Sequence, residues 1–384
     1  MRARLRRAPE PLAVRAPQAL LDVAREGAVP LAPGGAERAR ADRLDIAVVV
    51  PSFRRGSGGH STIANLVRGL EARGHVVTLW LEDDDGTFAG HDEARVAALW
   101  EEFFGPSRAP LRAGFAAWAP CDVAIATGWQ TVHRVLRLPG ARARAYLVQD
   151  HEPEFYGTSA EATWARETYG LGLHAVCASP WLADLVRERY GASASSFDLG
   201  VEHAIYHADG DERREPRVLV YARAVTARRA VPLAALAMEE LRRRRPDVEI
   251  ALFGEARPLA VRFSHRHLGV LPPAELARAY RRAAVGVALS TTNPSLVTTE
   301  MLACGLPVVE LASAAMVATF GARGPLELAP FDPLAIADAV EALLDEGAEQ
   351  RAARVEAALA LTHERTWERA AAQLEDGLRA ALAR

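Results

Sequence analysis

Residues 289–310 read LSTTNPSLVTTEMLACGLPVVE and join an apolar strand to a loop of small polar residues and then to a short helix. The helix carries Glu300, and Gly305 and Pro307 end it. A loop of this kind can present backbone N–H groups and hydroxyls to phosphate or sugar oxygens, and the helix N-terminus adds partial positive charge. A carboxylate suits sugar hydroxyls, because it accepts two hydrogen bonds at once. The stretch therefore indicates a site for a nucleotide sugar.

The alternation of apolar runs and helical stretches continues on both sides, which is typical of parallel sheets joined by crossover helices. Strands are predicted at residues 45–51, 76–81, 122–126, 144–149 and 174–178, and then at 218–222, 249–253, 285–289 and 307–311. These two groups predict an α/β protein with Rossmann-like domains over residues 44–200 and 201–365. Residues 366–384 are expected to form a last helix. Residues 1–43 are expected to be a flexible arm with one short helix around residues 18–25.

The spacing after Glu300 carries a family resemblance, since Ala303, Gly305, Pro307 and two valines follow it in register. This segment resembles the donor site of retaining family-4 glycosyltransferases of the GT-B fold, in which a Glu, seven residues and a second Glu precede A-x-G-x-P-V-V. Thr292 stands where the first Glu is expected. The P-S-x-x-x-x-E form is similar to the branch that includes rhamnosyltransferases of bacterial S-layer and surface-glycan assembly. The resemblance implies a GT-B fold, with parallel sheets facing each other across a cleft and with the last helix, residues 366–384, crossing back to the N-terminal domain.

Two upstream segments carry the same resemblance, which covers roughly residues 45–371. Arg223 and Arg228 resemble the family's G-R-x-x-x-x-K, whose two cations neutralise the donor diphosphate, although Ala222 replaces the Gly. The chain contains no Lys, so all 46 basic residues are Arg, and Arg keeps the charge and binds phosphate bidentately. Residues 146–156, YLVQDHEPEFY, closely resemble the Q-D-x-E-P-x-F-Y segment of the rhamnosyltransferase-like branch.

This second segment crowds titratable side chains at the end of a predicted strand, where open parallel sheets bind ligands. Asp150 and Glu152 are candidates to orient or deprotonate an acceptor hydroxyl. His151, Glu154 and Tyr156 are the candidate acceptor contacts, since charged groups and ring faces suit sugars. An ordinary acidic surface loop is the alternative interpretation.

The donor side is predicted from the second domain and from the glycine-rich turn after the first strand. Glu300 would position the donor and is counted with the catalytic residues. The other predicted donor contacts are Arg223, Arg228, Ser295, Leu296, Val297, Gly58 and Gly59. The turn also matches part of a dinucleotide fingerprint, but Ser61 occupies the place of its third glycine. An NAD site and a purely structural turn therefore stay open as alternatives.

Composition limits the class of protein. A net charge of −3 argues against a general nucleic-acid binder. Three widely spaced cysteines suggest neither a disulfide framework nor a zinc site, which fits a reducing cytoplasm. No apolar run approaches the roughly 18 residues of a membrane helix. Four arginines among residues 2–7 allow peripheral contact with anionic lipids at the inner face of a membrane. The acidic run at residues 83–85 is interpreted as a solvated turn, and no metal is predicted.

The function expected from these features is transfer of a hexosyl group from a nucleoside-diphosphate sugar to a hydroxyl acceptor. The rhamnosyltransferase-like segment favours dTDP-L-rhamnose as the donor, and the resemblance implies retention of configuration. The acceptor could be a glycan, a lipid-linked sugar or a small molecule, and no cofactor beyond the donor is expected. A nucleotide-sugar epimerase or phosphorylase, an NAD-dependent oxidoreductase and a non-catalytic carbohydrate-binding protein are the alternatives.

Overall fold

Two parallel β-sheets organise the chain, which the computed structural model describes over residues 16–208 and 214–384. The strands of the first sheet are β1 (Asp45–Pro51), β2 (Val76–Glu82), β3 (Leu111–Ala113), β4 (Cys121–Ala126), β5 (Ala141–Val148), β6 (His174–Cys177) and β7 (Ala194–Ser196). Their spatial order is β3-β2-β1-β4-β5-β6-β7. Every residue of β4 and β6 is buried, because helices cover a parallel sheet of this kind on both faces.

The second sheet repeats this plan in the C-terminal half. Its strands are β8 (Arg217–Tyr221), β9 (Glu249–Phe253), β10 (Arg266–Gly269), β11 (Val285–Val287), β12 (Val308–Leu311) and β13 (Leu326–Ala329). Their order is β10-β9-β8-β11-β12-β13, again with parallel pairing. In each sheet the strand order reverses beside the first strand, between β1 and β4 in the first sheet and between β8 and β11 in the second. Doubly wound folds open a crevice for ligands at this place.

Helices cover both faces of the two sheets. They are α1 (Gln18–Glu26), α2 (Gly35–Arg38), α3 (Gly58–Ala72), α4 (Glu93–Phe104), α5 (Trp129–Arg137), α6 (Ala160–Thr168), α7 (Pro180–Tyr190), α8 (Val231–Arg244), α9 (Pro273–Arg282), α10 (Leu296–Ala303), α11 (Ala314–Phe320), α12 (Pro333–Leu344), α13 (Ala348–His363) and α14 (Trp367–Leu382). Short 3-10 helices lie at Glu152–Phe155 and Ala227–Arg229. In the part of the chain that the structure describes, none of these helices has the length and apolar character needed to cross a membrane.

The last helix, α14, leaves the second domain and packs on the first. Val201 N donates a hydrogen bond to Arg365 O at 2.9 Å, which joins the linker between the domains to the segment before α14. Two positions without a side chain allow close packing. A Cβ atom on Gly69 of α3 would lie 2.4 Å from Ala371 Cβ, and one on Gly377 would lie 2.8 Å from Val176 in β6. The C-terminal helix is therefore part of the first domain's core.

Residues 16–43 pack against the first domain. Helix α1 lies on α5, Val29 N donates to Leu136 O at 2.9 Å, and Arg38 forms a two-pronged ion pair with Asp122 at 2.7 and 2.9 Å. The buried carboxylate of Asp122 thus fixes the end of the segment. This packing contrasts with the predicted flexible arm, because polar anchors of this kind leave no apolar pattern in a sequence. The arginines among residues 2–7, with their predicted lipid contact, lie outside the described residues.

Candidate active site

The candidate site lies where the carboxyl ends of the two sheets face each other. On the first domain, β5 ends at Val148 and is followed by residues 149–156. On the second, the chain leaves β8 into residues 222–230 and leaves β11 into residues 288–295 before α10 begins. These three connections come from different parts of the sequence and meet in one gap, which is where ligands bind in such sheets.

Asp150 links the two domains through both carboxylate oxygens. Oδ1 accepts hydrogen bonds from His151 N at 2.9 Å and from Asn293 N at 3.1 Å. Oδ2 accepts from Thr292 Oγ1 at 3.0 Å and pairs with Arg228 Nε at 2.9 Å. The residue is only 5% exposed. Three of its four partners belong to the second domain, so this predicted catalytic residue acts as a cross-domain anchor in the structure.

Asn293, which the sequence analysis did not single out, makes the densest set of contacts across the gap. Its side-chain nitrogen donates to Gln149 O at 3.1 Å and to Ala178 O at 2.8 Å. Its side-chain oxygen accepts from Ser179 Oγ at 2.8 Å. The residue is 1% exposed. An Asn-Pro dipeptide in a loop indicates an ordinary turn, so the neighbouring sequence does not point to a role for Asn293 between the domains.

The two predicted phosphate-binding arginines both reach the gap from the second domain. Arg223 Nη1 donates to Gly56 O in the first domain at 3.1 Å. Arg228 pairs with Asp150 and places its guanidinium carbon 4.2 Å from the ring centre of Phe155, a cation–π distance. Burial lowers the pKa of Arg228 and the charge of Asp150 opposes that shift. Two guanidinium groups therefore converge on the gap, as the resemblance implies.

Helix α10 begins at the second-domain side of this gap. Ser295 caps it, and its hydroxyl accepts from Val297 N at 3.2 Å. Leu296 packs against the core of the first domain and Val297 against that of the second. Glu300 follows on the same helix, and burial raises the pKa of its carboxyl to about 7. Among the described residues its carboxylate accepts no hydrogen bond, so its acceptor capacity is left for other groups.

Three predicted acceptor-side residues are engaged within the first domain. Glu152 is buried and accepts from Trp129 N at 2.7 Å, at the start of α5. His151 is buried, with Nε2 2.7 Å from Tyr190 Oη and Nδ1 3.0 Å from a carboxylate oxygen of Glu154. Burial raises the pKa of Glu152 to about 7 and lowers that of His151. The structure does not bring Glu152 or His151 to the open gap, because a backbone N–H and side chains of their own domain take up their polar atoms.

The remaining predicted contacts border the gap. Gly58 and Gly59 form the first turn of α3, and a Cβ atom on Gly59 would lie 3.5 Å from the Gln149 side chain, whereas Gly58 has open space around it. Tyr156 is partly exposed, and its hydroxyl accepts from Trp129 Nε1 at 2.9 Å. The glycine pair Gly58 and Gly59 thus lies next to the connection that carries Asp150, and the ring of Tyr156 ends that connection.

Within residues 16–208 and 214–384, no group of three or more His, Cys, Asp or Glu side chains is arranged to hold a metal ion. The acidic run at residues 83–85 is instead tied to the end of β1. Ser52 Oγ lies within hydrogen-bond distance of carboxylate oxygens of both Asp83, at 2.8 Å, and Asp85, at 2.6 Å.

Sequence comparisons match part of the chain to a known family and to a curated protein. Residues 216–341 match the family described as WsaF, C-terminal domain. The O-antigen biosynthesis protein RfbC of Myxococcus xanthus is 33% identical over 268 residues, which is 68% of this chain and 21% of that protein. The chain thus spans about a fifth of the length of this curated relative.

Solved structures share the two-domain architecture at low sequence identity. HepE of Anabaena in complex with UDP-glucose has a TM-score of 0.63 at 14% identity, covering 88% of this chain and 98% of that one. A TarM mutant of S. aureus in complex with fondaparinux, alpha-GlcNAc-glycerol and UDP has a TM-score of 0.70 at 9% identity, covering 88% and 100%. With its two facing parallel sheets and these likenesses, the chain has the GT-B fold.

Proposed function

We propose that the protein transfers a hexosyl group from a nucleoside-diphosphate sugar, held mainly by the second domain, to a hydroxyl of a glycan acceptor held mainly by the first. The observation that carries this proposal is the convergence of Arg223 and Arg228 on the gap, each reaching from the second domain to a group of the first. Negative charge grows on the leaving diphosphate during glycosyl transfer, and fixed cations aimed at that charge stabilise the transition state.

The cation of Arg228 is now neutralised by Asp150. A diphosphate carries more negative charge than one carboxylate and offers oxygens for bidentate pairing. Donor binding would therefore draw Arg228 away from Asp150 Oδ2. The carboxylate oxygen released in this way can then orient an acceptor hydroxyl at the gap. In this scheme the donor binds first and prepares the acceptor side.

Glu300 would bind hydroxyls of the donor. Its carboxylate is partly buried and has no hydrogen-bond donor among the described residues, so a ligand hydroxyl would satisfy it without displacing a protein contact. Such a hydrogen bond would be favourable, because a buried hydrogen-bond acceptor without a donor costs free energy. Ser295, Leu296 and Val297 form the helix start next to it and would line the same part of the donor pocket.

The finer features of the reaction rest on likeness and chemistry. HepE is in complex with UDP-glucose, and the TarM mutant is in complex with UDP, fondaparinux and alpha-GlcNAc-glycerol, which supports a nucleotide sugar as donor and a glycan as acceptor. The WsaF match and the rhamnosyltransferase-like segment around Asp150 support dTDP-L-rhamnose as the donor. A retaining outcome is proposed from the resemblance to family-4 glycosyltransferases. Two guanidinium groups supply the cations for the diphosphate, and we propose transfer without a metal ion.

The test is incubation of the purified protein with dTDP-L-rhamnose, UDP-glucose and GDP-mannose, with and without surface-glycan fragments. Release of nucleoside diphosphate that depends on the acceptor, together with a glycosylated product, is expected with at least one donor. Conversion of the sugar without release of diphosphate would indicate an epimerase instead. Failure of every nucleoside diphosphate and every donor to bind or raise the unfolding temperature would overturn the proposal.

A further inference from the structure

A fully buried carboxylate lies beneath the loop between β11 and α10. We propose that this residue, Glu310, is a positioning residue that holds the donor side of the gap in place. The inference rests on the proposed function, because it concerns the loop and helix that would bind the donor. Glu310 is 0% exposed and lies in β12, within a run that is otherwise apolar.

Among the described residues, the loop, the start of α10 and β12 itself each provide one donor to this carboxyl group. Oε1 accepts from Ser290 N at 2.7 Å and from Leu311 N at 2.9 Å. Oε2 faces Thr298 Oγ1 at 3.2 Å. Burial raises the pKa of Glu310 to about 8, partly offset by these contacts and by the charge of Arg229. A buried acid with both oxygens satisfied locks its surroundings into one arrangement.

The position of Glu310 follows from the lengths of two neighbouring strands. Strand β11 ends at Val287, and the last backbone bond to β12 runs from Ala288 N to Val309 O at 3.2 Å. The next free donor, Ser290 N, has turned away from the sheet. A buried N–H without an acceptor is costly, and the side chain of Glu310 supplies that acceptor in place of the missing strand.

Ser290 is held from its other side as well. Its hydroxyl accepts from Arg229 Nη1 at 2.8 Å and donates to Asn293 O at 2.9 Å. Glu310 thus fixes the backbone of Ser290, while Arg229 fixes its hydroxyl. The loop then delivers Asn293 to the first domain. The second oxygen of Glu310 reaches Thr298 in the first turn of α10, so one side chain sets both the loop and the helix that carries Glu300.

The experiment compares Glu310→Ala with Glu310→Gln and with a matched control, Leu241→Ala. Leu241 is fully buried on α8, near the opposite end from the gap, so its loss lowers stability without touching the loop. Hydrogen–deuterium exchange of residues 290–299 and calorimetric binding of UDP and dTDP are measured on each full-length protein. Glu310→Ala is expected to speed exchange in this segment and to weaken nucleotide binding by about tenfold or more.

Glu310→Gln is expected to keep most of the slow exchange in residues 290–299 and most of the nucleotide affinity. Its side-chain carbonyl can accept hydrogen bonds from Ser290 N and Leu311 N as Oε1 does. Should Glu310→Ala fail to fold, Thr298→Val removes only the contact to Oε2 and is expected to loosen the start of α10. The proposal is overturned if folded Glu310→Ala, or Thr298→Val in its place, shows the exchange and affinity of the Leu241 control. If the unaltered protein binds no nucleoside diphosphate, the proposed function fails, while the exchange data still decide the role of Glu310.

Discussion

Replacing Asn293 by Ala should weaken the association of the two domains more than any other single truncation in the gap. The side chain donates to Gln149 O and Ala178 O and accepts from Ser179 Oγ, all in the first domain. Alanine leaves these three groups without their partner in a place where Asn293 is only 1% exposed. The backbone contact from Asn293 N to Asp150 is kept, so the loop itself can stay in place.

The expected loss in the free energy of unfolding follows from the number of these hydrogen bonds. Each intramolecular hydrogen bond contributes about 1 kcal/mol net, so three of them give about 3 kcal/mol. Asn293→Asp has nearly the same shape, yet it turns an N–H donor pair into a carboxylate facing two carbonyl oxygens. Burying an unpaired charge against like partial charges is costly, so this variant should lose at least as much as the alanine variant.

Urea unfolding would measure the stability, and small-angle X-ray scattering would measure the radius of gyration of each protein. Asn65→Ala is the matched control, since Asn65 lies on α3 and its side chain bonds Arg68 of the same helix. The control should keep the radius of gyration, whereas both Asn293 variants should enlarge it. The reasoning is refuted if Asn293→Ala unfolds within about 0.5 kcal/mol of the unaltered protein and scatters identically, or if Asn293→Asp is the milder change.

Three further predictions concern charge. Arg223→Ala should weaken UDP or dTDP binding by about 10-fold to 100-fold in calorimetry, whereas Arg243→Ala, exposed on α8, should leave binding unchanged. Burial raises the pKa of Glu300 from 4.5 to about 7. The folded state therefore keeps its full stability below pH 4.5, where this carboxyl is neutral, and loses stability as the pH rises through 7. Glu300→Gln should therefore gain up to about 3 kcal/mol relative to the unaltered protein at pH 8 and nothing at pH 4.5, and equal unfolding curves at both pH values would contradict this. Since guanidinium groups supply the cations, EDTA should leave product formation unchanged, and activity restored only by added Mg²⁺ would contradict it.

The central strands could be predicted from the sequence, but the edge strands could not. Predicted strands at residues 45–51 and 249–253 match β1 and β9, and seven others overlap an observed strand. The four strands that were missed, β3, β7, β10 and β13, are the outer strands of the two sheets. They have three or four residues and are only partly buried. Pairing with a neighbour, not an apolar pattern of their own, makes them strands.

The residues of the candidate site, too, could be predicted from the sequence only in part. Arg223, Arg228 and Asp150 could be proposed from motifs, because each follows a strand and strand ends of a parallel sheet meet at one edge. Asn293 and Glu310 could not, because their partners lie across the gap or in a neighbouring strand and leave no local pattern. One signal was available for Glu310, since an acid inside a buried strand is rarely there without hydrogen-bond partners.

Thr292 shows why a departure from the motif does not by itself weaken the site. Its hydroxyl, buried in the gap, donates to Asp150 Oδ2, the same oxygen that pairs with Arg228. A Glu at this position would set a second carboxylate against Asp150, with one guanidinium between them, and like charges in so little water repel strongly. With Thr292 the loop supplies a donor instead, so the carboxylate on this side of the gap comes from the first domain. The hydroxyl therefore completes the hydrogen bonding of Asp150, and the anion stays within reach of Arg228.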